Sequence, residues 1–482
     1  MQPLMKIDAA RGTSFFPTFL SQESLTKDIE EILGKKMSEV FSVIKNDDEE
    51  ILFLYEQEMA AIARDVIKRL KENHTFGSEV EREIKERCEA VKQFAEKIDK
   101  EKVKAATNNE IEGIINEFCI KTRKLRSWGW IPNLANFHKE NIVDTTLKEL
   151  KKNRNIAEMN VQSIFALLTT PTEELEQNKA NEEMQKIVEH IKTGGKGESK
   201  AKEYLAKYGY LTYHYKGPAM SMNDLMEIIE EKIKKGNSEK KETFRERQER
   251  IKKEQKEIKH RYKIDEATWK AIEEIKRMTY LKAYRKEVMI YSNYKMDCVL
   301  EEVAKRIKKE KNHVRCMLVE EIIAALHGKE KVTNKELEER KKEMMTVAKE
   351  GKVEILRDEE KKNEIRKYLK NKEEHIETIK GQCAYPGIAR GIVKIIEKKE
   401  DMKKFNEGDI LISRSTNPDL IMAMEKAAAI VTDIGGISCH AAIVSRELQK
   451  PCIIGTKYIT KVLRDGMCIE VNANTGTIKI IN

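Results

Sequence analysis

The sequence predicts a mostly α-helical N-terminal region followed by a compact α/β domain, and three observations predict this division. Nine of the 22 glycines lie at or after Gly381, and glycine marks the tight turns between short elements. Charged residues make up 36% of the chain and aromatic residues only 6%, which is typical of helices with small cores and large solvated faces. Before residue 380, apolar residues recur at spacings of three and four, as on one face of a helix.

A chain of 482 residues is longer than one hydrophobic core usually organises, so several domains are expected. The first boundary rests on the segment SWGWIPNL, where Gly129 and Pro132 interrupt the helical pattern. We therefore expect four segments: a helical region over 1–150, a second helical region that binds a substrate or partner over 151–355, a linker over 356–380 and the α/β domain over 381–482.

In the first region, two apolar stripes predict helices. Their members are Leu25, Ile29, Ile32, Leu33 and Met37, then Leu54, Met59, Ile62, Val66 and Leu70. Near the end of the second region, KELEERKKEMMTVAKEG predicts a helix and KVEILRD predicts a strand.

Residues 223–263 form the most charged stretch of the chain. The stretch favours a solvated helical hairpin with Glu–Lys pairs at a spacing of four, interrupted at Gly236 and Asn237. A basic arm that binds a partner is the alternative, although the two signs of charge are evenly mixed.

Aromatic residues cluster in the segment KYGYLTYHYKGPAM. Glycine and proline break the helical pattern here, so these side chains either line a ligand pocket or form the seam where two helical layers pack. The candidate pocket residues are Tyr208, Tyr210, Tyr213, His214 and Tyr215.

Composition argues against several functional classes. The net charge of +9 comes from abundant, mixed charges, whereas a nucleic-acid-binding protein concentrates its basic residues on one stripe. The eight cysteines form no CxxC pair, so we expect neither structural zinc nor another metal site. No segment has the roughly 20 apolar residues of a membrane span, and the first residues lack the apolar core of a signal peptide. We expect a cytoplasmic protein with free thiols and no nucleic-acid or membrane partner.

The C-terminal segment TDIGGISCHAAIVSREL is the part of the sequence that points most specifically to a chemical function. A buried strand ends before it, Gly435 and Gly436 permit a tight turn, and a helix then begins near His440. The start of a helix offers free N–H groups and partial positive charge, which suit a phosphate. The same charge opposes protonation of the imidazole, so His440 can act as a neutral nucleophile toward phosphorus.

The segment TDIGGISCHAAIVSRELQKPCIIGT resembles the phosphohistidine signature of phosphoenolpyruvate (PEP)-utilising enzymes, which include PEP synthase, pyruvate phosphate dikinase and rifampicin phosphotransferase. The resemblance extends to CAYPGIARGIV, GDILISRSTNPD and MEKAAAIVTD, and so covers residues 381–482. It implies a swivelling β/β/α domain with His440 as phosphoryl acceptor and donor. Ser438 stands where Thr is commoner and keeps the hydroxyl.

The resemblance also implies roles for the neighbours of His440. Thr432 and Ser438 would hydrogen-bond the ring or the phosphoryl oxygens, and the two glycines would shape the turn. Arg446 and Glu447 would fix the helix and its docking surface. Cys439 would be a small packing residue, which we favour over a redox role.

Two parts of complete PEP-utilising enzymes are expected to be absent. Residues 1–380 show no glycine-rich phosphate-binding loop, which predicts that no ATP-grasp domain is present, and the sequence ends shortly after the last predicted strand, where a PEP-binding barrel would follow. The resemblance therefore implies a phosphotransferase component that receives its phosphoryl group from a separate ATP- and Mg²⁺-binding protein and delivers it to a small molecule at the helical region. The alternative is a phosphocarrier or regulatory protein whose helical region is an interaction scaffold.

Overall fold

The fold is described from a computed structural model. It describes residues 3–11, 15–46, 49–73, 75–137, 141–157, 160–213, 216–234, 242–329, 331–369, 379–397, 399–416, 420–436 and 439–481. Three predicted site residues, His214, Tyr215 and Ser438, lie outside this range.

Helices dominate the chain before residue 379, which confirms the predicted helical region. They are α1 (Phe15–Glu23), followed by a π-helical turn (Ser24–Asp28), α2 (Ile29–Leu33), α3 (Glu56–Glu72), α4 (Phe76–Glu96), α5 (Lys100–Ala105), α6 (Asn108–Gly129), α7 (Ile131–Leu134), α8 (Ile142–Lys152), α9 (Val161–Leu168), α10 (Glu176–Lys192), α11 (Glu198–Tyr208), α12 (Met222–Lys234), α13 (Phe244–Arg261), α14 (Glu266–Arg306), α15 (Lys311–Arg315), α16 (Val319–Leu326), α17 (Asn334–Lys342) and α18 (Glu359–Leu369).

Helices α19 (Ile421–Lys426), α20 (His440–Leu448) and α21 (Ile459–Val462) lie among the C-terminal strands. The strands are β1 (Leu4–Arg11), β2 (Val40–Lys45), β3 (Glu49–Tyr55), β4 (Glu343–Lys349), β5 (Lys352–Ile355), β6 (Ile379–Lys380), β7 (Gln382–Tyr385), β8 (Ile388–Ile395), β9 (Ile410–Ser413), β10 (Ala429–Thr432), β11 (Cys452–Ile454), β12 (Cys468–Asn472) and β13 (Thr477–Ile481).

The chain forms two compact units, each assembled from three separate segments. The first unit comprises residues 1–138, 209–220 and 284–372, and the second comprises 139–208, 221–283 and 373–482. Neither unit is a continuous stretch of sequence. The domain boundaries expected at residues 150, 355 and 380 stay a prediction.

An antiparallel sheet in the first unit is the main feature that the sequence analysis did not predict. Its described strands follow the order β1-β3-β2-β4-β5, with Phe41, Val43, Phe53 and Met345 buried on one side. The strand predicted at KVEILRD is present as β5. The helix predicted over KELEERKKEMMTVAKEG is wrong in its second half, which pairs with β2 and β5 as strand β4. Pairing with distant strands overrides the local helical pattern there.

The predicted linker contains a helix that packs against this sheet. Leu356 and Ile365 of the segment 356–369 belong to the same apolar core as Leu4 and Phe53. Residues 370–378 lie outside the described range.

The charged stretch 223–263 forms two helices, as predicted. Helices α12 and α13 lie on either side of residues 235–241, which are outside the described range and include Gly236 and Asn237. Ion pairs at a spacing of four are present, such as Lys234–Glu230 at 3.8 Å and Arg250–Glu254 at 3.2 Å.

The C-terminal segment forms the predicted α/β domain. Its described strands follow the order β6-β13-β12-β8-β9-β10-β11-β7, with β8, β9, β10 and β11 parallel. Strands β9, β10 and β11 are buried on both faces, as the central strands of a covered parallel sheet should be. Ile410 and Ile412 face one apolar core, whereas Leu411 and Ile430 face the other, beneath α20.

Within the described part of the chain, no helix combines the length and the apolar character that a membrane span requires.

Candidate functional site

Two neighbouring parallel strands place the candidate site at their carboxyl ends. Strand β9 pairs with β10 in the register Ser413↔Thr432, so the segments that follow them leave the same edge of the sheet. Thr416 follows the first strand and His440 follows the second. The Oγ1 atom of Thr416 lies 2.8 Å from Nδ1 of His440, and His440 is half-buried as the first residue of α20.

Thr416 is a site residue that the sequence analysis did not single out. It is buried, at 8% exposure, and lies in GDILISRSTNPD, a segment quoted only for its family resemblance. The sequence does contain a pattern that indicates this position. Two successive buried strands are each followed by a segment that contains Ser and Thr, and the carboxyl ends of neighbouring parallel strands meet at one edge of the sheet.

Thr432 stabilises the turn that leads to His440. Its hydroxyl donates to the carbonyl of Ile434 at 3.0 Å, and its own carbonyl accepts from the amide and the hydroxyl of Thr456, each at 3.1 Å. Its predicted hydrogen bond to the ring or to a phosphoryl group stays a prediction.

Asp433 holds the next position of the same turn. Its carboxylate accepts from the Thr456 hydroxyl at 3.1 Å and from the Thr460 amide at 3.3 Å, and it also bonds the Thr460 hydroxyl. Burial raises the pKa of Asp433, while these hydrogen bonds act in the opposite direction. Asp433 therefore ties the end of β10 to the start of α21, a role that the sequence analysis missed.

The two predicted turn glycines differ in what they contribute. Gly435 has φ +136°, and a Cβ atom there would lie 2.6 Å from Sγ of Cys439. No described atom lies within 4 Å of the corresponding position at Gly436, which is exposed and lacks a positive φ. Of these two positions, only 435 requires glycine, because its backbone conformation disfavours other residues and because an added side chain would have no room.

Cys439 is the residue that precedes α20, and its backbone is extended. The side chain packs against the apolar core formed by Ala441, Ala442 and Ile454. Burial raises the pKa of the Cys439 thiol, opposed by the Ala442 amide and by the positive charges of Arg446 and Lys282. A neutral, packed thiol fits the packing role that we favour over redox chemistry.

Arg446 and Glu447 attach the second turn of α20 to its surroundings. The Nε atom of Arg446 donates to the carbonyl of Ala384 at 3.2 Å, and burial lowers the pKa of Arg446 to about 10. Glu447 accepts from the side-chain amides of Asn178 at 2.6 Å and Asn181 at 3.4 Å. Burial raises the pKa of Glu447 against the opposing effects of Arg247 and Asn178. These contacts fit the predicted role of fixing the helix.

A small cavity of about 60 Å³ adjoins one side of α20. Ile443 and Glu447 of α20 line it, three and seven residues after His440, which places them about 4.5 Å and 10 Å farther along the helix. These three residues lie on one side of the helix. The opposite walls come from the loop before α10 and from helices α13 and α14, including Pro171, Leu175, Phe244, Ile251 and Tyr280.

The tyrosines predicted as pocket residues lie elsewhere. None of the described ones, Tyr208, Tyr210 and Tyr213, lines this cavity. Tyr208 and Tyr213 are buried, at 3% and 4% exposure. The Tyr213 hydroxyl accepts from Arg315 at 3.0 Å, and the Tyr210 ring packs against Tyr291 at 4.9 Å between centroids. These contacts favour the alternative interpretation, a packing seam.

One group of described side chains has the composition of a metal site. Potential ligand atoms of Glu310, His313 and Glu338 lie within 4.8 Å of one another in the first unit. The Nε2 atom of His313 is already 2.5 Å from Glu338, which also accepts from Lys341 at 3.1 Å. Glu338 thus already accepts hydrogen-bonding contacts from both His313 and Lys341.

The sequence predicts that His440 accepts a phosphoryl group, and on that prediction Thr416→Val should slow the phosphorylation of His440 by about 10- to 100-fold. Hydrogen-bond partners that fix the orientation and tautomer of a histidine ring have effects of this order at metal sites. Thr416→Ser keeps the hydroxyl and should retain most of the rate. Both rates are measured as incorporation of acid-labile phosphate. Equal rates for Thr416→Val and the unaltered chain would show that the hydrogen bond to Nδ1 does not matter.

Comparison with known proteins gives a family match for part of the C-terminal segment. Residues 405–476 match the family described as "PEP-utilising enzyme, mobile domain". The chain is 50% identical over 121 residues to the "Probable phosphoenolpyruvate synthase" of Archaeoglobus fulgidus, covering 24% of this chain and 16% of that protein. It is 42% identical over 113 residues to the "Uncharacterized phosphotransferase YvkC" of Bacillus subtilis, covering 23% and 13%. A crystal structure of Thermococcus kodakaraensis aconitase X (holo-form) is 19% identical, covers 22% of this chain and 98% of its own, and has a TM-score of 0.17.

The matched regions span about a sixth or less of these relatives' length. The similarity is therefore confined to a domain-sized part, and the complete reactions of these relatives are not assigned to this chain. Both the family match and the PEP synthase relatives support the resemblance expected from the signature around His440. Residues 405–476 are therefore similar to the mobile domain of PEP-utilising enzymes.

Proposed function

We propose that this chain is the phosphohistidine-carrying component of a phosphotransferase of the pyruvate, water dikinase or rifampicin phosphotransferase type. His440 accepts a phosphoryl group from a separate ATP-binding protein, which also holds Mg²⁺, and passes it to a small molecule bound by the helical part of the chain. One observation carries the proposal: His440 begins α20 within a family-matched domain, with its Nδ1 atom 2.8 Å from Thr416.

We assign the two ring nitrogens different tasks. With Nδ1 carrying the proton and donating it to Thr416 Oγ1, the lone pair of Nε2 is available to attack phosphorus. The N–P bond forms as the P–O bond of the donor breaks, and the leaving oxygen keeps the bonding electrons. The free N–H groups and positive end of α20 favour the negative charge of the bound phosphoryl group.

The second transfer reverses the bond changes. A hydroxyl oxygen of the acceptor attacks phosphorus, the P–N bond breaks with its electrons returning to Nε2, and the hydroxyl proton is released. Positioning of the acceptor supplies most of the rate acceleration in such a reaction.

The cavity beside α20 is our proposed acceptor site. It adjoins the side of the helix that begins at His440, and it has both apolar walls and the charged groups Arg247 and Glu447. This cavity favours a substrate-binding helical region over the alternative of a phosphocarrier with an interaction scaffold. A cytoplasmic setting belongs to the same proposal, since the eight cysteines are free thiols.

The test is incubation of the purified chain with phosphate-labelled ATP, alone and with a co-expressed ATP-grasp protein. We expect label that is labile in acid and stable in base, and only in the presence of the second protein. No label with any donor protein would contradict the proposed function. Label on the chain incubated alone would contradict the separate donor.

A further inference from the structure

Three side chains of the first unit bring potential metal ligands together: Glu310, His313 and Glu338. Their ligand atoms, one imidazole nitrogen and two carboxylate oxygens, all lie within 4.8 Å of one another. Around a tetrahedral Zn²⁺ ion, neighbouring ligand atoms are about 3.4 Å apart. Both glutamates are exposed, so rotation of their side chains can supply the remaining movement of about 1.5 Å. The group is therefore close to the geometry that a bound ion requires.

Two short helices position these ligands. Glu310 immediately precedes α15 and His313 lies three residues later, a spacing that brings two side chains to the same side of a helix. Glu338 belongs to α17. His313 is buried, at 6% exposure, whereas both glutamates are exposed. The imidazole therefore forms the inner end of the group and the two carboxylates form its rim.

Contacts outside the group hold the two helices in place. Arg340 of α17 is buried, at 5% exposure, and donates to the carbonyl of Cys316 at 3.2 Å and to Glu321 at 2.6 Å and 2.8 Å. The Nζ atom of Lys309 donates to the side-chain oxygen of Asn334, the first residue of α17, at 2.7 Å. Because the helices are fixed by these contacts, an ion would find its ligands already positioned, which lowers the cost of binding.

Two donor groups already contact the Glu338 carboxylate. The Nε2 atom of His313 lies 2.5 Å from it, and the Nζ atom of Lys341 lies 3.1 Å from it. A divalent ion would take the place of the proton that Nε2 donates, and the imidazole would stay neutral with its other proton on Nδ1. The same ion would displace Lys341, whose side chain is 25% exposed and can turn into solvent. Lys341 therefore competes with a metal ion for Glu338.

We propose that Glu310, His313 and Glu338 bind a divalent first-row metal ion, with Zn²⁺ as the probe. One imidazole with two carboxylates suits Zn²⁺ or Co²⁺ better than Mg²⁺ or Ca²⁺, which prefer oxygen ligands alone. The lack of CxxC pairs argues against thiolate sites and leaves this set of ligands open. The ion joins α15 to α17, and water completes its coordination. The site lies in the first unit and His440 in the second, so the proposal does not rest on the proposed function.

The test uses the full-length chain, titrated with Zn²⁺ by calorimetry and with Co²⁺ by visible absorption. We expect one saturable site and a Co²⁺ spectrum that lacks the charge-transfer band of thiolate ligands. Glu310→Gln and Glu338→Gln should each weaken binding at least about tenfold, the loss that even an outer partner of a metal ligand can cause. Because both side chains are exposed, neither change should disturb the fold. Lys341→Gln should tighten binding about two- to fivefold, since it removes the competing cation.

His327→Ala is the matched control. His327 lies 2.7 Å from Glu112 in the same unit, and among the residues that the structure describes no third potential ligand joins this pair. Removal of its imidazole should therefore leave the affinity for both ions unchanged.

No saturable uptake of either ion by the unaltered chain would overturn the proposal. Unchanged affinity in both glutamate variants, or a thiolate band in the Co²⁺ spectrum, would place the metal on other residues and would overturn it equally. An affinity that Lys341→Gln lowers or leaves unchanged would contradict the competition assigned to Lys341. None of these measurements involves phosphorylation, so their outcome is separate from that of the labelling experiment.

Discussion

His440→Ala is expected to eliminate the acid-labile phosphoryl label that, under the proposed function, the chain acquires from ATP through its donor protein. The reason is chemical: alanine has no lone pair to attack phosphorus, and the N–P bond has no other place to form at the start of α20. The measurement is label incorporation at saturating donor, with loss to the background level. The half-buried position of His440 predicts only a small change in thermal stability.

The matched control is His260→Ala, an exposed histidine in the last turn of α13, which should leave labelling unchanged. Retention of acid-labile label by His440→Ala would mean that another residue carries the phosphoryl group. Loss of label in both variants would point to a general effect of histidine removal rather than to His440.

Gly435→Ala is expected to have the second largest effect, a loss of about 2–3 kcal/mol in the free energy of unfolding of the C-terminal domain. Its φ of +136° is a conformation that residues with a side chain adopt only under strain. The new Cβ atom would also lie 2.6 Å from Sγ and 3.0 Å from Cβ of Cys439. Because Cys439 immediately precedes α20, the displacement should reach His440 and slow labelling at least about tenfold.

Gly436→Ala is the paired control, because it makes the same change at the next residue, which is exposed and has no described atom within 4 Å of the added carbon. It should change the free energy of unfolding by no more than about 0.5 kcal/mol. Thermal unfolding and the labelling rate are measured for both variants. Equal effects at the two positions would contradict the distinct role given to Gly435.

The candidate phosphoryl carrier could be proposed from the sequence because the features that point to it are local in sequence. A strand, a glycine turn and a helix start occupy one short segment, and residues 432–440 therefore contain the turn, the free N–H groups and the nucleophile. The same holds for most helices, whose apolar spacing is a property of successive residues. The α/β character of the C-terminal domain likewise follows from its glycines and short apolar runs.

The environment of His440 could not be predicted in this way. Thr416 lies 24 residues before His440 and reaches it only because β9 and β10 are adjacent and parallel. Tyr213 accepts a hydrogen bond from Arg315, which lies about a hundred residues farther along the chain. The cavity beside α20 has walls from helices separated by more than a hundred residues, and no local pattern indicates which helices will meet.

The sequence by itself determined the helical N-terminal region, the α/β C-terminal domain and His440 as the candidate nucleophile, because each depends on the order and spacing of neighbouring residues. Only the tertiary structure decided the sheet of the first unit, the partner of the His440 ring and the place of the cavity. Strand β4 shows the reason: its sequence continues a helical pattern, yet Thr346 meets Ser42 across 304 residues. Hydrogen bonds and burial gained from a distant strand outweigh a weak local preference.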